Sequence, residues 1–211
     1  MIIPVIPSTT VNGNVLVGHL TFDGSEPRIC GHTEDFIPFT SKMSSQYDRG
    51  HPFLIFDVKG MRDRTMNIEL LKGMKIRGKD IWFLTCIERV EDVFDAFNTD
   101  ADVLLIPYHT VRSDSELMEM HAVSDGSFPV LFVSNRMTYT RNGMKDTKEI
   151  MDKVTDMGFT SVAVFDLSGT LTRNDWDALS DDVRILPFSQ KPVERTTLDE
   201  SDFEWVFRSA I

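Results

Sequence analysis

The sequence predicts an α/β protein folded as a (β/α)8 barrel of the TIM type, built from two similar halves. Three observations carry this. Short apolar runs rich in Val, Ile and Phe recur along the chain with little polar alternation, as in strands buried on both faces. Segments with helical spacing or capping residues separate them, and β-α alternation means a parallel sheet. The string LIFDVKG at 54–60 returns as AVFDLSG at 163–169, an offset of 109 in a chain of 211 residues. Repetition at half length predicts one domain over 1–211 with half-barrels of about 1–110 and 111–211. A doubly wound open sheet is the alternative architecture.

Each element has its own signal. IIPVI (2–6) reads as strand 1, followed by a hairpin turning at Asn12-Gly13, a pair suited to a two-residue primed turn. The stretch from Gly31 to Pro52 is the least regular and holds an imperfect first helix. FLIFDV (53–58) is strand 2, and NIELLKGMKIRG is a helix ending near Gly78. IWFLTC (81–86) is strand 3; the helix after it places Val90, Val93, Phe94 and Phe97 on one stripe. VLLIPY (103–108) is strand 4, and Ser113 with Glu116 has capping-box spacing. PVLFVSN (129–135) is strand 5. Asp146 and Glu149 then open a helix that carries apolar Ile150, Val154 and Met157 and closes on Gly158. SVAVFDL (161–167) and VRILPF (183–188) are strands 6 and 7, Thr197 with Glu200 repeats the capping-box spacing, and FEWVF (203–207) is a weak eighth strand. With the sequence ending at Ile211, the final helix is expected to be truncated. That exposes apolar wall between the first and seventh helices and predicts a homodimer or protein-partner surface there.

Charge narrows the partners. Thirty-three acidic against 22 basic residues give a net charge of −11, which argues against nucleic acid and against an anionic membrane. MIIPVIPSTT lacks a basic leader region and no apolar stretch is long enough to span a bilayer, so a cytoplasmic protein is expected. Cys30 and Cys86 read as two reduced thiols, with Cys86 as a small buried apolar group. Most of the eleven methionines fall at apolar helical positions, as core filling does.

VAVFDLSGTLT (162–172) poses the functional question. Haloacid-dehalogenase-type phosphatases carry a similar string at their nucleophile, with a second Asp where this chain has Ser168. A nucleophile loop of that kind opens its domain, whereas forty-five residues with one clear strand follow Asp166. Asp166 therefore reads as the end of strand 6, the counterpart of Asp57 at the end of strand 2.

In this arrangement the chain resembles the histidine-biosynthesis barrels, the phosphoribosyl-formimino ribonucleotide isomerase and its cyclase relative, and among them a divergent archaeal-type branch. IIPVI with NGNVLVGHL looks like their first strand and covering loop. FLIFDVKGM is similar to their second strand, IERVEDVFDAF to the helix after strand 3, MGFTSVAVFDLSGTLT to the sixth strand with its phosphate loop, and EWVFRSAI to the start of the last phosphate loop. The resemblance implies a duplicated barrel and an isomerase- or lyase-like activity on a small phosphorylated ribose-type metabolite. It also has breaks. The family's acid/base carboxylates align with Pro7 or Ser8 and with Ser134 or Asn135, which cannot shuttle a proton as a carboxylate does. TCIER and PFSQK stand where its glycine-rich loops lie, and Gly169-Thr170 is the part retained.

Strand C-terminal ends line the mouth of such a barrel. Here they are Ser8, Asp57 with Lys59, Cys86 with Arg89, His109, Asn135 with Arg136, Asp166 with its loop, and Ser189 with Gln190. Asp57, Asp166 and His109 are the catalytic candidates; Ser168, Gly169, Thr170 and Arg136 are the phosphate-binding ones. The plain alternatives are that both aspartates cap helices or bond backbone amides, and that His109 is a core or rim histidine. No cofactor and no metal are expected, since His19, His51 and His121 lack ligand spacing; Asp57, Asp166 and His109 are the one oxygen/nitrogen set considered. Two functions follow: an enzyme or binder of a phosphorylated metabolite, or a non-catalytic interaction scaffold. Under the second, Asp57→Asn and Asp166→Asn are expected to be tolerated or stabilising.

Overall fold

Eight parallel strands close on themselves in the computed structural model, which describes residues 1–73, 76–99, 101–179, 183–189 and 202–211. The first half runs β1 (Ile2–Val11), β2 (Asn14–Asp23), β3 (Glu26–Asp35), α1 (Phe36–Ser44), β4 (Pro52–Asp57), α2 (Val58–Asp63), α3 (Ile68–Gly73), β5 (Asp80–Leu84), α4 (Val90–Phe97) and β6 (Val103–Pro107). The second runs α5 (Asp114–Val123), β7 (Ser127–Ser134), β8 (Met137–Thr140), β9 (Gly143–Asp146), α6 (Thr147–Asp156), β10 (Ser161–Asp166), α7 (Arg173–Leu179), β11 (Arg184–Ser189) and β12 (Val206–Ser209).

Closure decides between the two α/β architectures. The barrel order is β1-β4-β5-β6-β7-β10-β11-β12, and β12 pairs in parallel with β1 through Ile2↔Val206 to Val5↔Ser209. An open sheet would leave two edges unpaired; here every barrel strand has two neighbours. The four remaining strands form two hairpins. β2 and β3 follow β1, while β8 and β9 follow β7, so the first strand of each half feeds a hairpin before its helix. Both hairpins begin with a two-residue turn in which both φ values are positive: Asn12 at 51° with Gly13 at 80°, and Asn135 at 52° with Arg136 at 64°. That is the primed turn whose twist suits paired strands. Arg136 takes this conformation without being glycine, at a cost of roughly 1 kcal/mol.

Local signals map well onto these elements. Ser113 Oγ accepts from the Glu116 amide, and Asp146 Oδ1 from those of Lys148 and Glu149, each capping its helix. Four readings need correction. Strand 1 does not end at Ser8; it continues to Val11 and into the hairpin. The helix read over 67–78 is described over Ile68–Gly73, residues 74 and 75 lie outside the described residues, and Gly78 sits in a turn at φ 71°. On α4 the buried stripe uses Val93 and Ala96, while Phe94 is 54% exposed. The eighth strand lies at Val206–Ser209, later than FEWVF. Met74, Asp181, Asp182, Gln190 and the Thr197–Glu200 box lie outside the described residues. Beyond β12 come Ala210 and Ile211, and beside it a cavity of about 280 Å³ lies against β1 and α1, lined partly by Ile2, Phe39, Met43 and Tyr47. No helix among the described residues is long and apolar enough to cross a membrane.

Candidate functional site

Phenylalanine rings fill the barrel axis just below the mouth. Phe56 on β4 lies 6.3 Å from both Phe132 on β7 and Phe165 on β10, strands that are not its neighbours in the sheet, so the rings meet across the axis. Phe132 and Phe165 stack at 5.5 Å, and Phe165 also contacts Phe188 at 4.6 Å and Phe207 at 5.7 Å. The β2–β3 hairpin supplies a roof. Its Phe22 lies 5.5 Å edge-on from Phe132 and 6.1 Å from Phe56. Edge-to-face and offset ring contacts of this kind contribute beyond the area they bury.

This packing determines where the aspartates point. Side chains alternate along a strand, so the residues after axial Phe56 and Phe165 turn away from the axis. Both carboxylates are buried, Asp57 at 0% and Asp166 at 2% exposure. Asp57 Oδ1 accepts from the Gly60 amide at 2.8 Å; Oδ2 accepts from the Asn67 amide at 3.1 Å and from Thr85 Oγ1 at 2.7 Å. Asn67 in turn donates its side-chain amide to Thr10 Oγ1 at 3.1 Å. The result is a buried polar network joining the first three barrel strands. Burial pushes the Asp57 carboxyl above its ordinary value, opposed by the bonds from Gly60, Thr85 and Asn67. Asp166 Oδ1 accepts from the Gly169 amide at 2.8 Å and from Ser168 Oγ at 3.1 Å, while Oδ2 accepts from the Leu171 amide at 3.0 Å. Each aspartate thus ties down its own loop through the glycine three residues on.

His109 is the catalytic candidate that reaches the axial cluster. Its ring lies 4.9 Å from Phe132, is 7% exposed, and has no partner for Nδ1. Burial, with the Arg64 charge adding to it, lowers its pKa to about 4, so the imidazole is neutral near pH 7. The three candidates therefore form no mutually bonded acid/base set; the aspartates serve separate loops on β4 and β10. Among the described residues, no group of three His, Cys, Asp or Glu is placed to hold a metal ion.

The phosphate candidates do come together. Ser168 Oγ accepts from the Asn135 amide at 3.1 Å and lies 2.6 Å from Thr170 Oγ1, which brings the 168–170 loop against the β7–β8 turn. Gly169, at φ 60°, turns its amide inward to Asp166 and away from any ligand. Arg136 is 61% exposed and its Nε lies 3.1 Å from the Asp175 carboxylate. Of the other mouth residues, Ser8 bonds the Ile6 carbonyl at 3.2 Å, and Arg89 stands at the N-cap position of α4, where its amide donates to Asp92 Oδ2 at 3.1 Å. Cys86 is buried, and burial, Glu88 and other neighbouring charges push its thiol up to about 12, far from a reactive thiolate. Asn67, Thr85, Thr10 and Phe22 were not among the candidates. No protein-family model matches the chain, and no curated protein is similar to it in sequence.

Proposed function

We propose that this protein is a divergent, non-catalytic relative of the histidine-biosynthesis barrels, in which the axial site has become packed interior and the barrel serves as a scaffold. The observation that carries this reading is Phe22 of the β2–β3 hairpin, whose ring lies 5.5 Å from Phe132 and 6.1 Å from Phe56 and so covers the axial Phe56–Phe132–Phe165 layer from the hairpin side. The two strand-end aspartates support it, because their oxygens already accept bonds from their own loops. The absence of a carboxylate at Ser8 and Asn135 points the same way. Such a scaffold acts through its surface. A second copy or another protein is expected at the wall beside β12 and α1, and light scattering giving a strict monomer at high concentration would remove the second copy.

A second reading keeps a phosphorylated ribose-type metabolite, handled by an isomerase- or lyase-like step, at Ser168, Gly169, Thr170 and Arg136. The paired hydroxyls of Ser168 and Thr170 beside the β7–β8 turn favour it. A thermal-shift screen with phosphorylated sugars, ribonucleotides and imidazole-pathway intermediates separates the two, because a ligand of the native state raises Tm by mass action. The scaffold reading expects any shift to be unchanged in Thr170→Val and Arg136→Ala. A shift lost in both variants establishes the metabolite site and overturns it.

A further inference from the structure

A cavity of about 290 Å³ lies off the axis, between the loop after β6, the start of α5, the β8–β9 hairpin and α6. Its floor is apolar, formed by buried Val111, Leu117 and Tyr108. Its lining carries Arg112, Arg141, Lys145 and Lys153 with one carboxylate, Asp114, while Glu88 and Glu149 lie just outside it as ion-pair partners. In a chain of net charge −11, four cations around one cavity run against the average surface. The adjoining cavity of about 550 Å³ has no such bias, since Arg64, Arg89 and Arg112 are matched there by Glu88, Asp92 and Asp95.

The existing partners leave this rim able to take an anion. Asp114 is fixed between Lys153 Nζ at 2.5 Å and the Tyr108 hydroxyl at 3.0 Å. Arg141 Nη1 donates to the Thr110 carbonyl at 3.2 Å, which anchors its guanidinium at the cavity. The ion pairs of Arg112 and Arg141 with Glu88, at 3.4 and 3.9 Å, and of Lys145 with Glu149, at 3.5 Å, are long; their cations and Glu149 reach solvent, while Glu88 is 20% exposed. Pairs of that kind hold weakly against a dianion that accepts several charge-assisted bonds at once.

We propose that this cavity is a binding site for a small organic phosphate monoester. The phosphate sits against Arg112, Arg141 and Lys145, and the organic part lies on Val111, Leu117 and the Tyr108 ring. The guanidinium forks suit phosphate oxygens, the anion competes with Glu88 and Glu149 for Arg112, Arg141 and Lys145, and the volume takes a phosphate with one ring. The site is separate from the 168–170 loop and does not depend on whether the axis is catalytic.

Calorimetric titration of the full chain with phenyl phosphate, inorganic phosphate and phenol tests it. Phenyl phosphate is expected to bind more tightly than inorganic phosphate, and phenol not measurably. Affinity is expected to fall with added salt, and by about tenfold in Arg141→Gln and in Lys145→Gln, both surface changes that leave the fold intact. Thr170→Val is expected to have no effect. Absence of phenyl phosphate binding, or binding retained within about twofold in both variants, overturns the site. Equal affinity for phenyl and inorganic phosphate overturns the apolar floor as part of it. Binding abolished by Thr170→Val instead moves the anion to the loop after β10 and overturns the scaffold reading as well.

Discussion

The loops after β4 and β10 use one device in two settings. In each, a strand-end aspartate following an axial phenylalanine accepts the amide of the glycine three residues on, at 2.8 Å in both. The settings differ in what else the carboxylate holds. Asp57 reaches the neighbouring strand through Thr85 and, by way of Asn67, the Thr10 hydroxyl on β1, so it joins parts of the barrel distant in sequence. Among the described residues Asp166 bonds only within 168–171, and its loop rises to an exposed Thr170. The first is a tie inside the core and the second a local loop clamp. Water can replace a lost bond at the second far more readily than at the first.

Unequal consequences follow, and urea unfolding measures them. Asp57→Ala leaves two buried amides and the Thr85 hydroxyl without an acceptor and is expected to cost about 4 kcal/mol. Asp166→Ala is expected to cost about 2 kcal/mol; equal losses would dissolve the distinction. The glycines sharpen it. A Cβ at Gly60 would lie 2.0 Å from Asp57 Oδ2 and 2.8 Å from the Thr65 carbonyl, so Gly60→Ala should cost about 3 kcal/mol by forcing the tie apart. Gly169 has a positive φ of 60°, and the strain this puts on Gly169→Ala should cost about 1 kcal/mol.

The pH profile probes the axis itself. His109 has a folded pKa of about 4, below its ordinary 6.5, so the unfolded chain binds more protons between those values. Its contribution is intact above pH 6.5 and lost as pH falls to about 4, a loss of roughly 3 kcal/mol. Asp57 acts with the opposite sign: its raised carboxyl favours folding below 3.8 and loses that contribution as pH rises. His109→Leu is expected to flatten the fall between pH 6.5 and 4; an unchanged slope would mean the imidazole is not held neutral. A further effect concerns the roof. Phe22→Ala should cost about 2 kcal/mol, less than a fully buried phenylalanine, with faster amide exchange in β2 and β3 than in β8 and β9.

Much of this was legible. Parallel strands, helix caps, the Asn12-Gly13 turn and the paired strand-end aspartates follow from local patterns, and all act over a few residues. The sequence places the aspartates among the residues lining the mouth, although an apolar Phe on the inward register sends the next side chain outward. The partners of Asp57 were not legible, because Asn67 and Thr85 lie 10 and 28 residues away and only the closed barrel brings them in. Phe22 escaped for a related reason. The turn at Asn12-Gly13 announces a hairpin, but not that its ten-residue arms carry a ring over the axis. The second hairpin hid because Asn135-Arg136 lacks the glycine that marks a primed turn, and the conformation is imposed by pairing of Ser134 with Met137.

The central claim is that the strand-end carboxylates are structural ties, which reverses the expectation that their amide variants would be tolerated or stabilising. The most direct test is the unfolding free energy of Asp57→Asn beside the parent chain. An amide keeps one acceptor but turns an NH2 toward the Asn67 amide or Thr85, so the account predicts a loss of about 2 kcal/mol. Unchanged or increased stability would contradict it, and would mark Asp57 as an acid kept for chemistry at the expense of the fold.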